Sequence, residues 1–120
     1  MAPEYARVFI AEDVERWQEI VRRELEQAGH SVVLTASTLP EAIEMVKELR
    51  DKGVQIAVID GNMDPRIIGS GRDGEILLAA IRSAAPEVKI VGMSSHFING
   101  VDINVFKGNE RFLGKVVKDL

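Results

Sequence analysis

Cysteine is absent from this chain of 120 residues. That excludes a disulfide scaffold, a thiolate metal site and a cysteine nucleophile. It also fits a reducing compartment, and a cytoplasmic location is the expectation. Long apolar runs are missing as well: no stretch approaches the ~20 residues that span a bilayer. The opening "MAPEYARVFI" has no basic segment followed by an apolar one, so neither a membrane span nor a signal peptide is read. Basic blocks are missing too, and the formal net charge is −4, so direct contact with nucleic acid is not expected. Histidine is scarce. His30 and His96 stand far apart without ligand neighbours, which argues against an imidazole metal site, and His30 reads as a residue capping a helix end. What remains is 46% apolar and 28% charged, the balance of one globular domain long enough to bury a core. There is no internal repeat, linker or low-complexity segment.

Two periodicities alternate along the chain. "RVFIA" (7–11) is a short apolar run that ends on Glu12 and Asp13. Val14, Trp17, Val21, Leu25 and Ala28 then recur at helical spacing until Gly29. "SVVLTA" (31–36) reads as a second strand. Thr38 and Glu41 form a capping box for a helix lined by Leu39, Ala42, Val46 and Leu49, which Gly53 closes. "VQIAVI" (54–59) is apolar almost throughout, as in a parallel strand covered on both faces. Asp73 is the expected cap of a helix carrying Leu77, Ala80, Ile81 and Ala84, and Pro86 ends it. "VKIVGM" (88–93) and "INVF" (103–106) supply two further strands, and Asn109 is the expected cap of a last helix with Phe112, Leu113, Val116, Val117 and Leu120. Alternation of this kind implies a doubly wound parallel sheet with right-handed crossovers.

In open parallel sheets the functional crevice lies beyond the carboxyl ends of the strands. Glu12, Asp13, Asp60, Ser94 and Lys107 all fall there. Clustered carboxylates repel, so a cation should neutralise them. Oxygen-only ligands suit Mg²⁺. A carboxylate beside Mg²⁺ and a lysine is also a plausible nucleophile toward phosphorus. A competing signal is "GSGRDG", whose Gly69, Gly71 and Gly74 match the dinucleotide-binding pattern. That pattern must follow a strand immediately and needs an acid about 20 residues further on. Here the strand ends near Asp60, and the later region is "KIVGMSS".

The motifs "FIAED", "VIDGNM", "DGEILLAAIR", "IVGMSS" and "VFKG" resemble those of the receiver domain of two-component response regulators, over essentially the whole chain. The resemblance implies a single receiver domain over 1–120, an atypical member. It implies an α/β, flavodoxin-like (βα)5 fold with strand order 2-1-3-4-5. It also implies a phosphoacceptor rather than a turnover enzyme, phosphorylated on Asp60 with Mg²⁺ by a histidine kinase, a phosphotransfer protein or a small phosphodonor, and signalling to a downstream protein. By position, Asp13 matches the direct metal ligand and Glu12 its water-mediated companion. Asn62 would offer its backbone carbonyl to the metal, Ser94 matches the switch hydroxyl and Lys107 the family's lysine.

Four features depart from the family pattern. The loop after Asp60 is longer than usual. Only residues 95–106 separate Ser94 from Lys107, so the fourth helix should be missing or cut to a single turn. Asn104 stands where an aromatic usually sits; Phe97 or Phe106 could substitute for it, but both read as core residues. Gly108 replaces the proline after the lysine. A phosphorylation-independent receiver-like interaction module is the alternative reading. A metal-assisted phosphatase would need a second acid where Asn62 stands.

Overall fold

A computed structural model describes residues 5–60 and 72–120. In chain order they form β1 (Arg7–Ala11), α1 (Glu15–Gln27), β2 (Ser31–Ala36), α2 (Leu39–Val46), β3 (Ile56–Ile59), α3 (Arg72–Ala84), β4 (Lys89–Ser94), β5 (Ile103–Phe106), a single 3-10 turn (Glu110–Phe112) and α4 (Leu113–Asp119). The strands make one parallel sheet in the order β2-β1-β3-β4-β5, the flavodoxin-like arrangement expected from the sequence. Successive side chains of a strand point to opposite faces. Thus Phe9 and Ala11 pack with α2 and α3, while Val8 and Ile10 pack with α1 and α4. Burial on both faces is why β3 reads IAVI without a polar residue.

Helix ends explain where the strands begin. After α1, the amide of Gly29 donates to the Glu26 carbonyl and that of His30 to Leu25, both at 3.0 Å. This paired closure requires a left-handed residue, and Gly29 has φ +93°. Gly53 and Val54 repeat it on Arg50 and Leu49, but they close the turns at 47–53 rather than α2, which ends at Val46, short of the expected stop at Gly53; β3 starts two residues later than expected. At α2, Thr38 Oγ1 accepts the Glu41 amide at 3.2 Å, and Glu41 Oε1 accepts the Ser37 amide at 2.9 Å. The return bond thus lands one residue before the Thr38 amide of a standard capping box.

Other expectations are corrected. Helix α3 begins at Arg72, so Asp73 lies inside its first turn rather than capping it. Asn109 precedes the 3-10 turn without a side-chain capping bond. Val14 and Ala28, at the two ends of the α1 stripe, are exposed because they lie just outside the helix. Phe97 and Phe106 are not core residues: they are 69% and 41% exposed. The reason lies in the segment joining β4 to β5.

That segment, 95–102, contains turns and bends and no helix, as the short interval predicts. It is clasped onto the sheet instead. The Asn104 carboxamide accepts the Ile98 amide at 2.9 Å and donates to the Ile98 carbonyl at 3.2 Å. Ile98 is buried against the α2–α3 face. Gly92 makes room for both, since a Cβ there would sit 2.8 Å from Asn104 Oδ1 and 3.0 Å from Ile98 Cδ1. Asp102 pins the far end, accepting the Ile90 amide at 2.7 Å and pairing with Arg82 at 3.2 Å. With no helix above them, Phe97 and Phe106 stay uncovered. Asn104→Ala removes both bonds to Ile98 and should destabilise the domain by about 1–2 kcal/mol. The expected readouts are a lower urea midpoint and faster amide exchange at Ile98; unchanged exchange there would refute the clasp.

Candidate functional site

The sheet's hydrogen-bond ladder continues past the strand ends and sets the site's backbone. Glu12 N–H donates to the Ala36 carbonyl at 3.0 Å, Asp60 N–H to Ala11 at 2.9 Å, and Lys107 N–H to Ser94 at 2.9 Å. Each candidate residue therefore leaves the same sheet edge at a position fixed by its neighbour. The β1–α1 turn is braced further by Gln18, whose carboxamide donates to the Glu12 carbonyl and, at 2.9 Å, to Ser37 Oγ.

Glu12, Asp13 and Asp60 each offer a carboxylate oxygen within 4.8 Å of the others. Glu12 and Asp60 are only 3% and 5% exposed, while Asp13 is half-buried. The Lys107 ammonium lies 2.9 Å from Glu12 Oε1 and 3.5 Å from Asp60 Oδ2. Glu12 Oε2 accepts the Val14 amide at 3.1 Å. Both Glu12 oxygens are thus engaged, which suits contact with a metal through water rather than directly. Ser94 is buried at the end of β4, its Oγ accepting the His96 amide at 3.4 Å. Asn62 and the long loop at 61–71 lie outside the described residues.

Burial dominates the electrostatics. It pushes the Glu12 carboxyl from 4.5 to about 8, helped by the Asp60 charge and by hydrogen bonds to Asp13 and Asp60, against the pull of Lys107. Burial raises Asp60 too; the Glu12 hydrogen bond and the Lys107 charge oppose the rise and Asp13 adds to it. For Lys107, burial disfavours the ammonium, but the hydrogen bond to Glu12 and the charges of Asp60 and Glu12 outweigh it, and its pKa rises. Without a metal, burial and mutual repulsion both favour the protonated form of the Glu12 carboxyl. Crowded, half-neutralised oxygen donors fit a hard divalent cation such as Mg²⁺.

One contact was invisible in the linear sequence. The Lys107 ammonium sits over the indole of Trp17, 5.1 Å from the ring centroid. Trp17 reads as a core residue from its helical spacing, and it does pack against the α1–α4 core. Its second role needs the residue that follows β5 brought to the start of α1 at the shared sheet edge. His30 is also more than a helix cap. Its buried Nδ1 accepts the Ala6 amide at 2.9 Å, so the proton sits on Nε2, which donates to the Gly114 carbonyl at 3.0 Å.

A family model for the response regulator receiver domain matches residues 8–118. The chain belongs to that family, the receiver domains of two-component systems. The fold is similar to several solved structures. One is a CheY-like receiver domain from Methanospirillum hungatei JF-1, at TM-score 0.76 and 18% identity, covering 96% of this chain and 92% of that one. Another is a LuxR-family two-component response regulator from Aurantimonas sp. SI85-9A1, at TM-score 0.77 and 22% identity, covering 96% and 84%. A third is the isolated REC domain of RcsB from Salmonella enterica serovar Typhimurium, solved with the phosphomimetic BeF3-, at TM-score 0.73 and 20% identity, covering 94% and 86%. At these identities the likeness is one of fold. No curated protein matches the sequence.

The cluster has a cost in the metal-free protein. A carboxyl whose folded pKa lies above its unfolded value stabilises the fold at low pH. That contribution is lost as pH rises through the folded pKa, here from 4.5 toward about 8 for Glu12. Asp60→Asn relieves the repulsion. In chelator at pH 8 it should melt above the wild type, by a few degrees for about 1 kcal/mol, with the gap narrowing toward pH 5. Equal melting temperatures across this range would contradict the electrostatic account.

Proposed function

We infer that the domain accepts a phosphoryl group on Asp60 in a Mg²⁺-dependent reaction and thereby signals to a downstream protein. The observation that carries this reading is the buried Asp60 carboxylate held between two further acids and the Lys107 ammonium. An Asp60 oxygen attacks phosphorus, the new O–P bond forms in line with departure of the donor group, and the electron pair leaves with that group. Asp13 and Asp60 would hold the metal directly, Glu12 through a water, and Asn62 through its backbone carbonyl. Bound Mg²⁺ would supply charge to the transferring phosphoryl oxygens. Lys107 would follow one of those oxygens. Ser94 would exchange its bond from the His96 amide for a bond donated to the phosphoryl group.

Chain 1–120 reads as a single receiver domain, whose donor is a histidine kinase or phosphotransfer protein and whose setting is the cytoplasm. It consumes one phosphoryl group per cycle and acts as a switch rather than a turnover enzyme. The RcsB domain solved with BeF3- supports beryllofluoride as a probe here. The absent helix between β4 and β5 favours a second reading, constitutive partner binding without phosphate.

Incubation with acetyl phosphate and Mg²⁺ should add one phosphoryl mass to the wild type and none to Asp60→Asn, with no addition in chelator. Addition that survives Asp60→Asn would overturn Asp60 as the acceptor, and none to the wild type would favour the second reading.

A further inference from the structure

We propose that Trp17 is a positioning residue, holding the Lys107 ammonium over the acidic cluster whether or not a metal is bound there. The inference rests on the phosphoryl-transfer reading for its purpose, but not for its geometry. Lys107 has a long stem with many rotamers, and among the described residues three groups hold its tip: Glu12 at 2.9 Å, Asp60 at 3.5 Å and the Trp17 ring centroid at 5.1 Å. The first two are acids, whose charge a divalent cation also draws on. As a cation neutralises the cluster, their hold on the ammonium weakens. The indole is uncharged and attracts the ammonium through the negative face of its ring, within the ~6 Å range of such contacts. Among the described contacts of that ammonium it is the one for which a metal does not compete.

Surroundings strengthen the contact. Lys107 is only 13% exposed along its side chain, so solvent screens the ring–ammonium attraction weakly. Trp17 is itself fixed: it lies on α1, half-buried, and packs against the core shared with α4. The β1–α1 turn ahead of it is braced by Gln18. A rigid ring on one side and the acids on the other leave the ammonium a narrow set of positions beside Asp60. An oxygen transferred to Asp60 would then meet a donor already in place, which is the benefit of preorganisation.

The test uses the whole domain and the variants Trp17→Leu, which keeps an apolar side chain without a ring, and Trp17→Phe, which keeps a smaller ring. Proton NMR should show the Lys107 ε-methylene resonances moved upfield by the indole, with and without Mg²⁺. The shift should vanish in Trp17→Leu and largely persist in Trp17→Phe. Phosphorylation by acetyl phosphate should slow roughly fivefold in Trp17→Leu and recover in Trp17→Phe, without weaker Mg²⁺ binding in either. Unshifted Lys107 resonances in the wild type, or a folded Trp17→Leu that phosphorylates at the wild-type rate, overturn the proposal. Should Trp17→Leu not fold, the wild-type shift and its persistence on adding Mg²⁺ decide the matter; a shift that Mg²⁺ abolishes overturns it. Should the wild type take no phosphoryl group at all, the Asp60 reading falls, and the phosphate-free NMR measurement still judges the contact.

Discussion

Three carboxylates brought to one sheet edge, two of them almost wholly removed from water, are the constraint around which the rest of this structure is arranged. Such a cluster is unfavourable by itself, because burial disfavours each charge and each charge disfavours its neighbours. It persists because the scaffold beneath leaves it no freedom to disperse. The parallel ladder holds the backbones of Glu12 and Asp60 by hydrogen bonds to the adjacent strands, and Lys107 enters from β5 by the same device. Covered on both faces, the sheet is stable enough to carry the strain.

The β4–β5 end of the sheet is organised differently from the rest. Where a helix would cover β4 and β5, a short segment is clasped down by Asn104 and Asp102 and plugged by Ile98. The carboxamide of Asn104 is not merely a missing aromatic. It serves the backbone N–H and carbonyl of Ile98, the buried residue of an otherwise largely exposed segment, which would lack partners there. The same economy leaves Phe97 and Phe106 in solvent.

Much of this was legible in the sequence. The strand ends could be read because apolar runs stop abruptly, and Asp60 stands where "VQIAVI" gives out. Strand order and the lost helix followed from the motifs and from the short interval after Ser94. What escaped depended on residues distant in the chain. Trp17 shows a helical apolar spacing and nothing that announces Lys107. Phe97 looks like a core residue because hydrophobicity reports what a side chain prefers, not whether a neighbour is present to cover it. Asn104 read as a deficiency because its partner is main chain, which leaves no side-chain pattern to match.

The buried ring of His30 has a consequence for how the chain assembles. It receives the amide of Ala6 on one nitrogen and offers the other to the carbonyl of Gly114, 84 residues further along. A buried donor left unpaired is expensive, so β1 and the last helix are bound to one another's completion. The first strand cannot reach its final environment until Gly114 has left the ribosome. Contacts of this span slow folding, since a large loop must close before they form. Synthesis of the domain should therefore pass through a nearly complete sheet, one face covered only in part by α1, that waits for its closing helix.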